Sequence, residues 1–169
     1  MPADAVMPIT VVVECRASKH PWQDEIWRPL GVVPRTAGEC GQVLASGEGW
    51  THFHGGTLDI ELFRGETEGY RSNLSQETPL VYVVLSRNEQ SEGMAFEPFL
   101  ATACPYEAEA YTDGGDEIVE GVPMRPELVE WVRQFVAQHH VDRPFVKRKN
   151  RRDKHADMGR PAQPGRAPS

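Results

Sequence analysis

Cysteine is scarce in this chain. Its 169 residues hold three, Cys15, Cys40 and Cys104, and no CxxC or CxxxC spacing brings two of them together. An odd number of isolated cysteines argues against a secreted disulfide scaffold, and the ordinary expectation for each is a buried free thiol rather than a redox centre or metal ligand. Long apolar runs are missing as well. Nothing nears the ~18 residues a membrane helix needs, and "MPADAVMPIT" has no charged segment leading into an apolar one. The expected setting is a reducing cytoplasm, without membrane contact. Phosphate and acyl-transfer motifs are lacking too: there is no GxxxxGK[ST], GxGxxG or GxSxG. "TDGGDE" has the glycines but would hold carboxylates against a phosphate.

Basic residues are few over most of the length and then abundant. From Arg143 onward stand nine of the 18 Lys/Arg and two of the 25 acids, which leaves nine basic against 23 acidic residues before it. The chain is an acidic body with a basic end. "VKRKNRRDKH" packs six Lys/Arg into ten residues. Such a run can neutralise nucleic-acid phosphates, but beyond Phe145 no aromatic alternates with the charges to stack on bases. A solubilising tail, or one that docks on an acidic protein, is preferred to nucleic acid. Lys147, Arg148, Lys149, Arg151 and Arg152 are the candidate partner-binding residues.

Strand patterns dominate what is present. In "PITVVVECR", Ile9, Val11 and Val13 alternate with Thr10, Val12 and Glu14, apolar on nearly both faces as in a central strand. "IWRPLGVVP" is a second strand, and Pro29 with Gly31 predicts an edge or a bulge. "RTAGECGQVLASGEG" has four glycines and no lasting period, so a loop is expected. Thr57 to Phe63 alternates Leu58, Ile60 and Leu62 with acids, after a turn or bulge at Gly55-Gly56. "GETEGYRSNLS" suits a short helical turn. "PLVYVVLSR" is the strongest strand, "FEPFLATAC" another with Pro98 confining it to an edge or bend, and "DEIVEGVPM" a short one. "PYEAEAYTDGG" predicts a two-turn helix opened by Pro105. "RPELVEWVRQFVAQHHV" predicts an amphipathic helix with Leu128, Trp131, Val132, Phe135, Val136 and His139 on one stripe.

These elements predict a mainly β (α+β) domain: six or seven antiparallel strands in a sandwich or partly open barrel, with a C-terminal amphipathic helix. Residues 1–8 are expected to be a flexible N-terminus, 9–146 a single globular domain, and 147–169 a basic, disordered tail.

Candidate sites are few. His52 and His54 share a face if their segment is extended, which can supply two zinc ligands, but no third lies nearby and two partly exposed strand histidines are preferred. His139 and His140 point about 100° apart on a helix, which suits a protonated C-terminal cap better than a shared metal. Glu61, Glu66, Glu68, Arg64 and Arg71 can make an acid–base set, yet a solvated strand edge and helix turn explains them as well. No catalytic residue, metal or cofactor is assigned from the residues.

Four blocks carry a resemblance. "HPWQDEIWRPLGVVP", "LFRGETEGYRSNLS…PLVYVVL", "ATACPYEAEAYTDGGDEIVEGVPM" and "WVRQFVAQHHVDRPFVKRK", in this order between about Ile9 and Lys149, resemble a family of short bacterial proteins of unknown function. Its members are frequently labelled molybdopterin-guanine dinucleotide biosynthesis protein A, and their genes tend to sit among those of molybdenum formate dehydrogenases and accessory factors. The resemblance implies a molybdoenzyme context. A guanylyltransferase would need a strand leading into a glycine-rich loop with Arg and Lys, on a parallel α/β sheet, where this chain has "VVVECRASKHPW". The expectation is therefore a non-catalytic accessory protein that binds a molybdoenzyme subunit or its maturation factor. The alternatives are a nucleotide-handling enzyme of the molybdenum cofactor and a nucleic-acid module led by the tail.

Overall fold

A computed structural model describes residues 2–19, 25–90 and 93–141. Seven strands form two antiparallel sheets. The first contains β1 (Ala5–Ala17), β2 (Glu25–Pro34), β3 (Val43–Gly47) and β4 (Trp50–Leu62), in the order β2-β1-β4-β3. The second contains β5 (Leu80–Arg87), β6 (Phe96–Thr102) and β7 (Ile118–Pro123), in the order β6-β5-β7. The sheets do not close into a barrel. β1 and β5, rich in β-branched residues, both lie inside their sheets, and β4 is interior as well.

Four bulges adapt the strands, one of them on β3, where the register with β4 skips Leu44 between Val43 and Ala45. On β2 the register with β1 slips between Gly31 and Pro29, so the edge and the bulge expected there coincide. On β4 the register with β1 passes from Thr57 to His54, placing Gly55 and Gly56 opposite Val11. The chain runs straight on through this pair, so it is a bulge and not a turn. Gly56 takes φ +92°, which L side chains adopt only at a cost. On β6 the slip falls beside Pro98, which leaves Phe99 exposed at the rim.

Both sheets turn their inner faces to one core. Ile9, Val11, Val13, Phe53, Ile60 and Leu62 of the first meet Val81, Val83 and Leu85 of the second. Helix α3 (Pro126–His139) adds Leu128, Val132 and Phe135, and α1 (Thr67–Leu74) adds Tyr70, edge-on to Phe135 at 6.0 Å. Buried Asn73 staples α1 to the second sheet. Its amide donates to Leu80 O at 2.7 Å and Ala103 O at 2.9 Å while its oxygen accepts Leu80 N–H at 2.9 Å.

Several boundaries differ from those the sequence predicts. Ala5–Pro8, expected in a flexible N-terminus, already pair with Leu62–Asp59. The glycine-rich loop contains β3, and α2 (Pro105–Glu109) is shorter than two turns. Pro144–Val146 and the basic tail lie outside the described residues. No described helix is long and apolar enough to cross a membrane.

Candidate functional site

The polar groups of greatest interest lie on the face of the first sheet opposite the core. His52 and His54 point there together, while Phe53 between them turns inward to stack on Trp27 at 5.6 Å. Register sets Glu14 of β1 opposite His52. The Glu14 carboxylate is nearly sealed, 4% exposed, and accepts from His52 Nε2 at 3.0 Å and Arg16 Nη2 at 3.1 Å. Trp50 covers the His52 ring at 4.5 Å. Burial pushes the Glu14 carboxyl up, but the bonds and charges of Arg16 and His52 outweigh it and hold the group below the usual carboxylate value.

His54 is not a partly exposed strand histidine. It is 1% exposed, because the segment from Thr36 to Gln42 folds over it. Its Nε2–H donates to Thr36 O at 3.2 Å, and Nδ1 accepts Gly56 N–H at 3.1 Å. Those two partners, one acceptor only and one donor only, fix a neutral Nε2–H tautomer. Gly38 passes so close that a Cβ on it would stand 2.6 Å from the ring. The two histidines therefore serve different neighbours: His52 a carboxylate, His54 the backbone of an overlying loop. Among the described residues no three of His, Cys, Asp and Glu are gathered to hold a metal ion.

The thiols differ from one another. Only Cys104 is buried; Cys15 is half-buried and Cys40 exposed, which corrects the expectation of three buried thiols. The Cys104 thiol donates to Glu66 Oε1 at 3.0 Å beside a cleft of about 470 Å³ lined by Phe63, Glu66, Tyr106 and Glu107. Burial and then the Glu66 bond push it up to about 11. Burial and then Glu25 raise Cys15 to about 11, and burial with Glu97 raises Cys40. None is held as a thiolate, the form a nucleophile or metal ligand requires.

The acid–base set of residues 61–71 is dispersed. Arg64 pairs with Asp4 at 3.3 Å, Glu66 takes the Cys104 proton donor, and Glu61 and Glu68 are exposed. Arg71 donates to His140 Nε2 at 2.6 Å. His140 Nδ1–H donates in turn to Thr67 Oγ1 at 3.0 Å. An imidazole that accepts from a guanidinium is the reverse of the protonated cap expected there, while the His139 ring lies tilted against Phe135 at 4.5 Å. Lys147, Arg148, Lys149, Arg151 and Arg152 lie outside the described residues.

Sequence reasoning missed the Glu14–His52 pair. Its one signal was a lone carboxylate in the otherwise apolar run "VVVEC".

No curated protein and no solved structure matches the chain. Over residues 8–149 it fits one family model, so the chain belongs to DUF3305, described as a protein of unknown function.

Proposed function

We propose that this chain is a non-catalytic accessory protein that works by binding another protein, during assembly or maturation of a formate-dehydrogenase-type molybdoenzyme. The observation that carries the non-catalytic half is how the reactive groups of the body are engaged. All three thiols are pushed toward the protonated form, both nitrogens of His54 and of His140 are bonded, and Glu14 is held by Arg16 and His52. Groups in that condition hold a fold together; a general base or nucleophile needs a free lone pair aimed at open space. Among the described residues all strand pairings are antiparallel, unlike the parallel α/β sheet that the nucleotide-transfer alternative calls for. The molybdoenzyme context rests on the four sequence blocks alone.

Deleting the gene and measuring molybdenum content and formate oxidation of the dehydrogenase tests the reading, alongside co-purification with a tagged dehydrogenase subunit. A lower molybdenum load and a stable complex are expected. Unchanged loading and activity in the deletion strain would sink it.

A further inference from the structure

The four sheet edges are not alike. The β2 edge carries Pro29, Pro34 and a bulge; the β6 edge carries Pro98 and a bulge; β7 carries Glu120 and Pro123. Prolines, charges and bulges are the devices that keep an edge from recruiting another strand. The β3 edge shares the bulge, at Leu44, but has neither proline nor charge. Its sequence is Val-Leu-Ala-Ser-Gly, all five residues are exposed, and Val43 and Leu44 stand 54% and 47% open. Among the described residues, Val43–Gly47 make no backbone hydrogen bond outside their own sheet. One side of the strand's peptide groups is therefore available.

Carboxylates bracket that edge. A turn closed by Gln42 N–H to Glu39 O at 3.0 Å sets Glu39 just before β3. Glu48 sits in the two-residue connection from β3 to β4. Both side chains are exposed and neither forms an ion pair among the described residues. Glu97 adds a third carboxylate, 3.9 Å from Cys40 Sγ beside Glu39.

We infer that the β3 edge is a strand-addition site for an extended segment of a partner protein, apolar at its centre and carrying Lys or Arg at both ends. Backbone hydrogen bonds to Val43–Gly47 supply affinity, Val43 and Leu44 meet the central apolar residues, and Glu39 and Glu48 take the two cations. Five strand residues span roughly 15 Å, so the basic residues of the segment stand five to seven apart. A second copy of this chain is a poorer occupant, because it would bring the same carboxylates and a body of 23 acids against nine bases into contact.

This inference rests on the reading of the chain as a protein-binding module and names the surface. Two labelled peptides test it on the full chain by fluorescence anisotropy: Lys-Val-Thr-Ile-Thr-Val-Lys and the same core with Glu at both ends. The basic-ended peptide is expected to bind at least tenfold tighter, more weakly as salt rises. Glu39→Lys with Glu48→Lys should reverse the preference, and Leu44→Lys should weaken both. These positions are exposed, and an unchanged melting temperature confirms that the variants fold. Equal binding of both peptides, or no response to the charge reversal, overturns the proposal. So does concentration-dependent dimerisation abolished by Leu44→Lys, which assigns the edge to a second copy. Displacement of the probe by a peptide of residues 143–152 also overturns it, since the chain's own tail is then the occupant. Loss of peptide binding with molybdenum loading still dependent on the gene removes this surface and leaves the accessory reading. The opposite pair of results does the reverse.

Discussion

Replacing His54 by alanine removes an imidazole that ties the Thr36–Gln42 segment to β4 and leaves Thr36 O and Gly56 N–H without partners. A buried group stripped of its bond costs about 1–3 kcal/mol, and the lost ring adds a void. We expect His54→Ala to lower stability by about 2–4 kcal/mol in chemical denaturation, far above the ~0.5 kcal/mol of an exposed histidine. A change inside that smaller range would mean the overlying segment does not depend on the ring. Glu14 makes a different test. Its carboxyl is held below the ordinary value of 4.5, so its contribution is present above that pH and fades as the pH falls through the lowered value. Wild type should exceed Glu14→Gln at pH 7, and the two should converge as the pH drops below about 4.5. Denaturation midpoints that stay apart by a constant amount would refute the linkage.

β4 shows what an element takes from local pattern and what it takes from its neighbours. Thr57–Leu62 was legible because Leu58, Ile60 and Leu62 alternate with acids, and Ile60→Ala, fully buried, should cost about 2–5 kcal/mol. The bulge halfway along is less forgiving than its glycines suggest. A Cβ on Gly55 would sit 2.6 Å from Val11 O and 2.9 Å from Pro98 Cγ, linking the two sheets at one point. Because the carbonyl cannot retreat without breaking β1, Gly55→Ala is expected to cost more than about 2 kcal/mol, read from the melting temperature. The central strands and α3 were readable for the same reason as Ile60: burial writes a period into the sequence. β3 was not, since all five of its residues are exposed and only pairing with β4 makes it a strand. Nor was Glu14–His52. The two lie 38 residues apart, and only the register set by a glycine bulge brings them face to face.

For the molecule as a whole, two desolvated thiols, one buried and one half-buried, set an alkaline limit. Cys15 and Cys104 keep their protons to about 11 when folded, against 9.0 when free. The unfolded chain loses those protons first, so stability should decline as the pH rises from 9 toward 11. A Cys15→Ala, Cys104→Ala variant should show a shallower decline. Tyr70, raised by burial from 10.0, keeps part of the slope above that value in both proteins. Identical slopes from pH 9 would dissociate the thiols from the effect.

The two sheets are also consecutive in the chain: residues 5–62 supply every strand of the first and residues 80–123 every strand of the second. During synthesis the first sheet can therefore complete its hydrogen bonds while its cover is still being translated. For that interval Ile9, Val11, Val13 and Ile60 form an apolar wall facing solvent. The nascent chain is then at its most adhesive, and slow elongation between residues 62 and 80 lengthens the exposure. Ribosome-arrested chains stopped after the first sheet has emerged should crosslink to holding chaperones more than those released with both sheets, and equal crosslinking would count against this order of assembly.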